Sequence, residues 1–246
     1  MYADRFPQIP ESQWTMIPNG YDEEDFAAAE QKIPARRSPG DPVVLVHSGV
    51  LYPSERDPMP FFKALSEMRS AGQISPSRLK VVLRATGHDD YYRTPLRDLG
   101  INDIVSLEPP ISHSAAVTEM LEADGLLIFQ ATNCNRQIPA KVYECLRARR
   151  PVFAMTDPAG DTATFLKAEG IRSIVPLDSK ENIGRGLIQF LALLANGSNP
   201  VCPSVDRHSR KARTQELAAL LNSVCKEKEQ SITGGIDGFI NATNHR

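Results

Sequence analysis

Residues 125–155, GLLIFQATNCNRQIPAKVYECLRARRPVFAM, decide how the rest of the chain is read. GLLIFQ (125–130) is a continuous apolar run, the pattern of a strand buried on both faces. PAKVYECLRAR (139–149) opens on a proline, which fits a first helical turn because its missing N–H costs nothing there. PVFAM (151–155) is a second short apolar run. Strand, helix and strand at this spacing form one crossover of a parallel sheet.

The alternation continues in both directions. Upstream come a strand VVLVHS (43–48), a helix MPFFKALSEMRSAG (59–72), a strand RLKVVLRATG (78–87), a strand DIVSL (103–107) and a helix SHSAAVTEMLEAD (112–124) capped by Ser112. Downstream come a helix PAGDTATFLKAEG (158–170), a strand IRSIVPL (171–177) and a helix SKENIGRGLIQFLALLAN (179–196). Six strands interleaved with helices predict an α/β fold, a Rossmann-like open parallel sheet with helices on both faces.

Residues 1–42 are polar and proline-rich, with one short helix expected at DEEDFAAAEQ under an Asp22 cap. The sheet domain is expected over 43–206, ending in a loop at 196–206. A last helix is expected at 210–229, within a segment 207–229, with apolar Leu217, Leu220, Leu221 and Val224. The glycine- and asparagine-rich tail 230–246 is expected to be loosely ordered.

At 246 residues and 41% hydrophobic, the chain can bury one sizeable core. The net charge of -2 carries no basic excess, which argues against nucleic acid as partner. The four cysteines show no metal or redox spacing, so a reducing, cytoplasmic location is expected. The longest apolar run, GLIQFLALLA, is well short of the roughly 20 residues a membrane span needs. Contact with a membrane surface stays open.

Open parallel sheets bind ligands at the carboxyl ends of their strands. The loops HSGVLYPSERD, ATGHDD, EPPIS and QATNCNRQI should converge there. They bring His47, Ser48, Gly49, Arg56, Arg84, Gly87, His88, Glu108, Asn133 and Arg136 to one edge, beside Lys141 and Glu144. Neither G-x-G-x-x-G nor G-x-x-x-x-G-K-[ST] occurs, so dinucleotide and P-loop chemistry lack their signatures. The helix start near Pro139 leaves amides at Ala140 and Lys141 that can bind an anion such as a diphosphate, and Lys141 adds charge. Glu144 lies on the same face, where a carboxylate can take two hydrogen bonds from a vicinal diol such as a ribose. The same spacing also makes an ordinary surface Lys–Glu pair. His47 and His88 are candidate bases or loop hydrogen-bonding groups, and His113 a cap neighbour. Cys145 reads as a small buried residue, and Cys134 has no evident partner base.

IPAKVYECLRARRPVFAM resembles the K-x-x-E segment of family 4 glycosyltransferases, which have the two-domain GT-B fold. MIPNGYDEEDF (16–26) resembles the hinge joining their domains. LVHSGVLYPSERDPMPFFKAL resembles their glycine loop and LEADGLLIF one of their strands, so the likeness spans roughly residues 14–224. It implies the carboxyl-terminal half, which binds the donor nucleotide sugar. Glu144 then holds the ribose, Gly49 faces the diphosphate, and Gln137 and Ile138 offer backbone amides to the phosphates. Lys141 is a phosphate or structural group. The loop 107–111, with Leu107, Glu108 and Ile111, clasps the base. Arg56 and Arg84 are candidates for the family's phosphate-binding cations.

The likeness further implies retaining transfer of a sugar from a nucleoside diphosphate to a glycan or lipid acceptor. Neither a metal nor a cofactor is needed. Two departures stand out. Arg136 occupies the first carboxylate position of the family's E-x7-E motif, and the hinge-like segment, which in the family follows an acceptor-binding domain, begins here at residue 16. A separate or missing acceptor domain, onto which the last helix would cross, is therefore an expected partner. A non-catalytic nucleotide-sugar-binding module and an epimerase-like half of the same fold are the alternatives.

Overall fold

The computed structural model describes residues 2–31, 40–197 and 205–243. Side chains are described for 4–31, 40–197 and 205–226. Most of the loop expected at 196–206 lies outside those residues.

Two compact units emerge, one over Asp22–Val205 and one combining Met1–Tyr21 with Asp206–Arg246. The first holds six strands: β1 (Val43–Ser48), β2 (Leu79–Arg84), β3 (Val105–Glu108), β4 (Gly125–Phe129), β5 (Val152–Met155) and β6 (Ile174–Val175). All adjacent pairs are parallel, in the order β3-β2-β1-β4-β5-β6. The expected Rossmann-like sheet is therefore present, its order reversing between β1 and β4. The β6 pairing is much shorter than 171–177 because only Ile174 and Val175 join the ladder.

Alternate strand residues face opposite sides. Leu45, Val81, Leu83, Leu127, Phe129, Phe153 and Met155 belong to one core cluster with side chains from α3 (Met59–Ser70), α4 (Asp89–Asp98) and α8 (Lys180–Ala195). Gly125 has no side chain because Phe190 of α8 passes over it. An added Cβ would lie 2.9 Å from the Phe190 ring. Val46, Leu126, Ile128, Val152 and Ala154 are buried on the other side. Right-handed crossovers put α5 (His113–Glu122), α6 (Ala140–Arg147) and α7 (Asp161–Ala168) there.

Helix α2 (Glu23–Glu30) belongs to this unit and packs on α5. Asp22 caps it as expected, accepting from the Glu24 amide at 3.1 Å. Arg147 of α6 fastens it: the guanidinium bonds Glu23 at 2.6 and 2.7 Å and Glu30 at 2.7 Å, and lies 5.1 Å from the Phe26 ring centre. The compact unit thus starts at Asp22 rather than at 43.

Helix α4 was not expected. Its apolar stripe is narrow, Tyr92 and Leu96 with Leu99 at its end, in an otherwise polar segment that contains Pro95.

In the second unit, the short helix α1 spans Tyr2–Arg5 and α9 spans Arg210–Thr243, continuing past the expected end at 229. The hinge-like PNGYD segment pairs here with residues 208–210. The Tyr21 amide donates to the His208 carbonyl at 3.1 Å, and the Tyr21 carbonyl accepts from Arg210 at 2.8 Å. Gly20 is required by this approach, since a Cβ would stand 2.5 Å from the His208 carbonyl oxygen. No helix among the described residues is long and apolar enough to cross a membrane.

Candidate functional site

Strands β1 and β4 share only two register pairs, Leu45↔Gly125 and Val46↔Leu126. Beyond them the strands part, and His47 spans the gap. Its Nδ1 lies 2.9 Å from the Leu127 carbonyl oxygen, so Nδ1 carries the proton and Nε2 is left as a lone-pair acceptor. Nε2 is buried and meets no hydrogen-bond partner among the described residues. Burial holds the imidazole pKa down to about 4, with Lys141 and Arg56 adding repulsion against its charged form. His47 is thus a neutral interior group below the crevice, which corrects its expected place at the edge.

Immediately after β1, Gly49 adopts φ +136°, and a Cβ built there meets nothing within 4 Å. Glycine is required by the backbone and leaves open space beside it. The following loop is tied to the β4 loop: Ala131 donates its amide to the Glu55 carbonyl at 2.7 Å, and Asn133 its side-chain amide to the Ser54 carbonyl at 2.9 Å. Arg56 curls onto its own loop, donating to the Val50 carbonyl at 3.2 Å with its guanidinium 5.9 Å from the Tyr52 ring centre.

Across the crevice, α6 begins at Ala140 behind Pro139, an N-cap that makes no side-chain cap bond. The first two helical amides, Ala140 and Lys141, precede the reach of the ladder at the start of the helix that follows β4. Lys141 Nζ lies 2.6 Å from Glu144 Oε2. The Glu144 side chain is 15% exposed and that of Lys141 31%. Glu144 Oε2 makes no well-angled hydrogen bond despite the short ion-pair distance. We take the pair as electrostatic contact, since the ammonium is the charge nearest that oxygen. Glu144 Oε2 is buried against the Lys141 ammonium of the helix start.

Two expected groups are otherwise engaged. The Gln137 amide already donates to the Cys134 carbonyl at 3.2 Å, so it does not offer a phosphate contact in this conformation. Ile138, its neighbour, has no backbone acceptor among the described residues. Arg84 is locked by Glu119 of α5, with Nε and a terminal nitrogen each 2.6 Å from a carboxylate oxygen and a third donor 2.8 Å from the Pro109 carbonyl. Its hydrogen bonds to Glu119 raise its pKa further, so it clamps the β3–α5 loop rather than facing a ligand.

That loop carries the remaining candidates. Leu107 and Glu108 sit at the end of β3, paired with Leu83 and Arg84. The Glu108 carbonyl accepts from Ala85 at 2.8 Å. Ile111 is exposed. Beside them a hollow of about 530 Å³ opens, lined by Ala85, Gly87, His88, Tyr91 and Pro110 among others. Ala85, at φ +56°, and Gly87, at φ +72°, shape its floor. The sequence placed Gly87 and His88 here but not Tyr91, which comes from the unexpected helix α4.

Cys145 is buried beside Glu144, and desolvation pushes its thiol up to about 12, which makes it inert. His113 is more than a cap neighbour: its Nε2 lies 3.0 Å from Asp25 Oδ2.

No protein-family model matches the sequence, and no curated protein matches it. Solved structures do resemble it. Sucrose-phosphate synthase from Thermosynechococcus elongatus superposes with a TM-score of 0.66 at 14% identity, covering 92% of this chain and 56% of that one. HepE of Anabaena in complex with UDP and glucose gives 0.58 at 18%, covering 85% and 57%. WaaG, a glycosyltransferase involved in lipopolysaccharide biosynthesis, gives 0.58 at 14%, covering 86% and 59%. The chain spans little more than half the length of these proteins. At such identities the likeness establishes the fold, a Rossmann-like domain of the GT-B type.

Proposed function

We propose that this chain is the donor-binding, carboxyl-terminal half of a family 4 glycosyltransferase. It holds a nucleoside-diphosphate sugar for retaining transfer of a hexose to a glycan or lipid acceptor, with no metal or cofactor required. The observation that carries this proposal is one juxtaposition at the β1–β4 crevice. Gly49, with open space beside its backbone, follows β1, and the uncapped start of α6, carrying Lys141 and Glu144, follows the neighbouring β4, so the topology brings both to the carboxyl ends of adjacent strands.

Each group has a chemical task in this account. The Ala140 and Lys141 amides and the Lys141 ammonium meet the diphosphate. Glu144 accepts from the two ribose hydroxyls. The hollow beside 107–111 takes the base. HepE, which the chain resembles in fold, is in complex with UDP and glucose, the two moieties such an occupant would join. A second chain or domain supplies the acceptor groups, because transfer requires the acceptor to be aligned with the anomeric carbon and water excluded. A site in the cytoplasm fits this chemistry.

Arg136, standing where the family's first carboxylate falls, favours a second proposal: a binding module that retains the nucleotide without transferring the sugar. Calorimetric titration with UDP, GDP and their hexose conjugates tests both. Binding of a nucleoside diphosphate with a Kd between about 1 μM and 1 mM is expected, about 4–8 kcal/mol. No binding at millimolar ligand would refute the donor-site assignment. Sugar transfer on addition of an acceptor domain would exclude the module.

A further inference from the structure

We infer that Gln130 and Thr162 are positioning residues that aim the Ile138 amide at the diphosphate. The inference rests on the donor-site assignment of α6. Gln130 directly follows β4, a place its apolar neighbours would fill with a hydrophobic side chain, and it is 1% exposed. Its amide nitrogen donates to the Cys134 carbonyl at 2.9 Å and to the Gln137 carbonyl at 2.8 Å. Its Oε1 accepts from Thr156 Oγ1 at 3.1 Å, and Thr156 is itself fully buried on the strand edge beside it. Thr162 of α7, also 1% exposed, donates to the same Gln137 carbonyl at 3.1 Å.

A trans peptide unit carries its C=O and its N–H on opposite sides, and no described peptide bond is cis. Two buried donors, from β4 and α7, pull the Gln137 carbonyl inward. The N–H of that same unit belongs to Ile138 and must point the other way. Pro139 follows, with its φ fixed by the ring and the conformation of residue 138 restricted before it, so the orientation carries into the first turn of α6.

The test follows the Ile138 amide by ¹⁵N–¹H spectroscopy in the full chain, titrated with UDP, with inorganic diphosphate and with uridine. In the wild type, UDP and inorganic diphosphate should shift that amide, and uridine should not. Thr162→Val, which keeps the side-chain shape and removes the donor, should weaken diphosphate and UDP binding about tenfold, one hydrogen bond's worth, with uridine unchanged. Thr162→Ser should restore wild-type behaviour. Gln130→Met should weaken binding at least as much. If that variant does not fold, Thr162→Val decides alone. A Thr162→Val protein with wild-type affinity and an unaltered Ile138 response would overturn the positioning role while leaving the donor site standing. A wild type whose Ile138 amide ignores every diphosphate ligand would overturn both.

Discussion

Replacing Glu144 by alanine separates the two halves of the proposed site. In the unliganded protein Glu144 and Lys141 neutralise each other at 2.6 Å. With Lys141 31% exposed, solvent screens the pair, which contributes only about 0.5–1 kcal/mol. A ribose diol must displace that ammonium before it reaches the carboxylate. Hydrogen bonds to the charged carboxylate give about 1.5–3 kcal/mol. Subtracting the broken pair leaves about 0.5–2.5 kcal/mol, roughly a twofold to seventyfold loss in affinity for UDP or GDP. Inorganic diphosphate lacks a ribose and should bind the variant as well as or better than the wild type, because Lys141 is released toward the anion. Calorimetry with both ligands reads the contrast directly, and urea unfolding should fall by less than about 1 kcal/mol. Equal UDP and GDP affinities in the two proteins would refute the ribose role. Parallel losses for diphosphate and nucleotide would show that Glu144 acts through the helix start instead.

Three further outcomes follow from the packing. Folded His47 protonates at about 4 and the unfolded chain near 6.5, so stability is full above pH 6.5, falls as the pH drops, and levels below about 4. Urea midpoints should show about 2–3 kcal/mol less pH dependence across that window in His47→Phe, and an unchanged profile would refute a buried neutral imidazole. Arg147→Met should cost about 1–2 kcal/mol in urea unfolding, less than a fully buried pair, because Glu23 and Glu30 are about half exposed and return to water. A loss above about 4 kcal/mol would mean that the stranded carboxylates stay dry. Gly125→Ala should cost about 1–3 kcal/mol by pressing on the Phe190 ring and Leu45, and a neutral result in the same assay would show that α8 can shift.

The sheet was legible because its strands carry their own signal. GLLIFQ and PVFAM are apolar throughout, as burial on both faces requires, and Pro139 marks the helix between them. Helix α4 was hidden because its core-facing stripe is narrow, Tyr92 and Leu96 with Leu99 at the end, in a polar segment that contains Pro95. The position of Glu144 relative to Lys141 was legible from a three-residue spacing. What engages Arg84 was not, since Glu119 lies 35 residues away and meets it only when β2 and α5 come together. The Gln137 amide was misread for a related reason: its acceptor, the Cys134 carbonyl, belongs to a short turn that no side-chain pattern announces. Local periodicity writes elements into a sequence, whereas pairings across elements depend on the finished packing.

The most direct measurement is a crystal structure of the chain with a nucleoside diphosphate. The account predicts the diphosphate within hydrogen-bond distance of the Ile138, Ala140 and Lys141 amides, the ribose hydroxyls on Glu144, and Lys141 drawn away from that carboxylate onto the phosphates. A nucleotide bound elsewhere, with the Lys141–Glu144 contact intact, would contradict it.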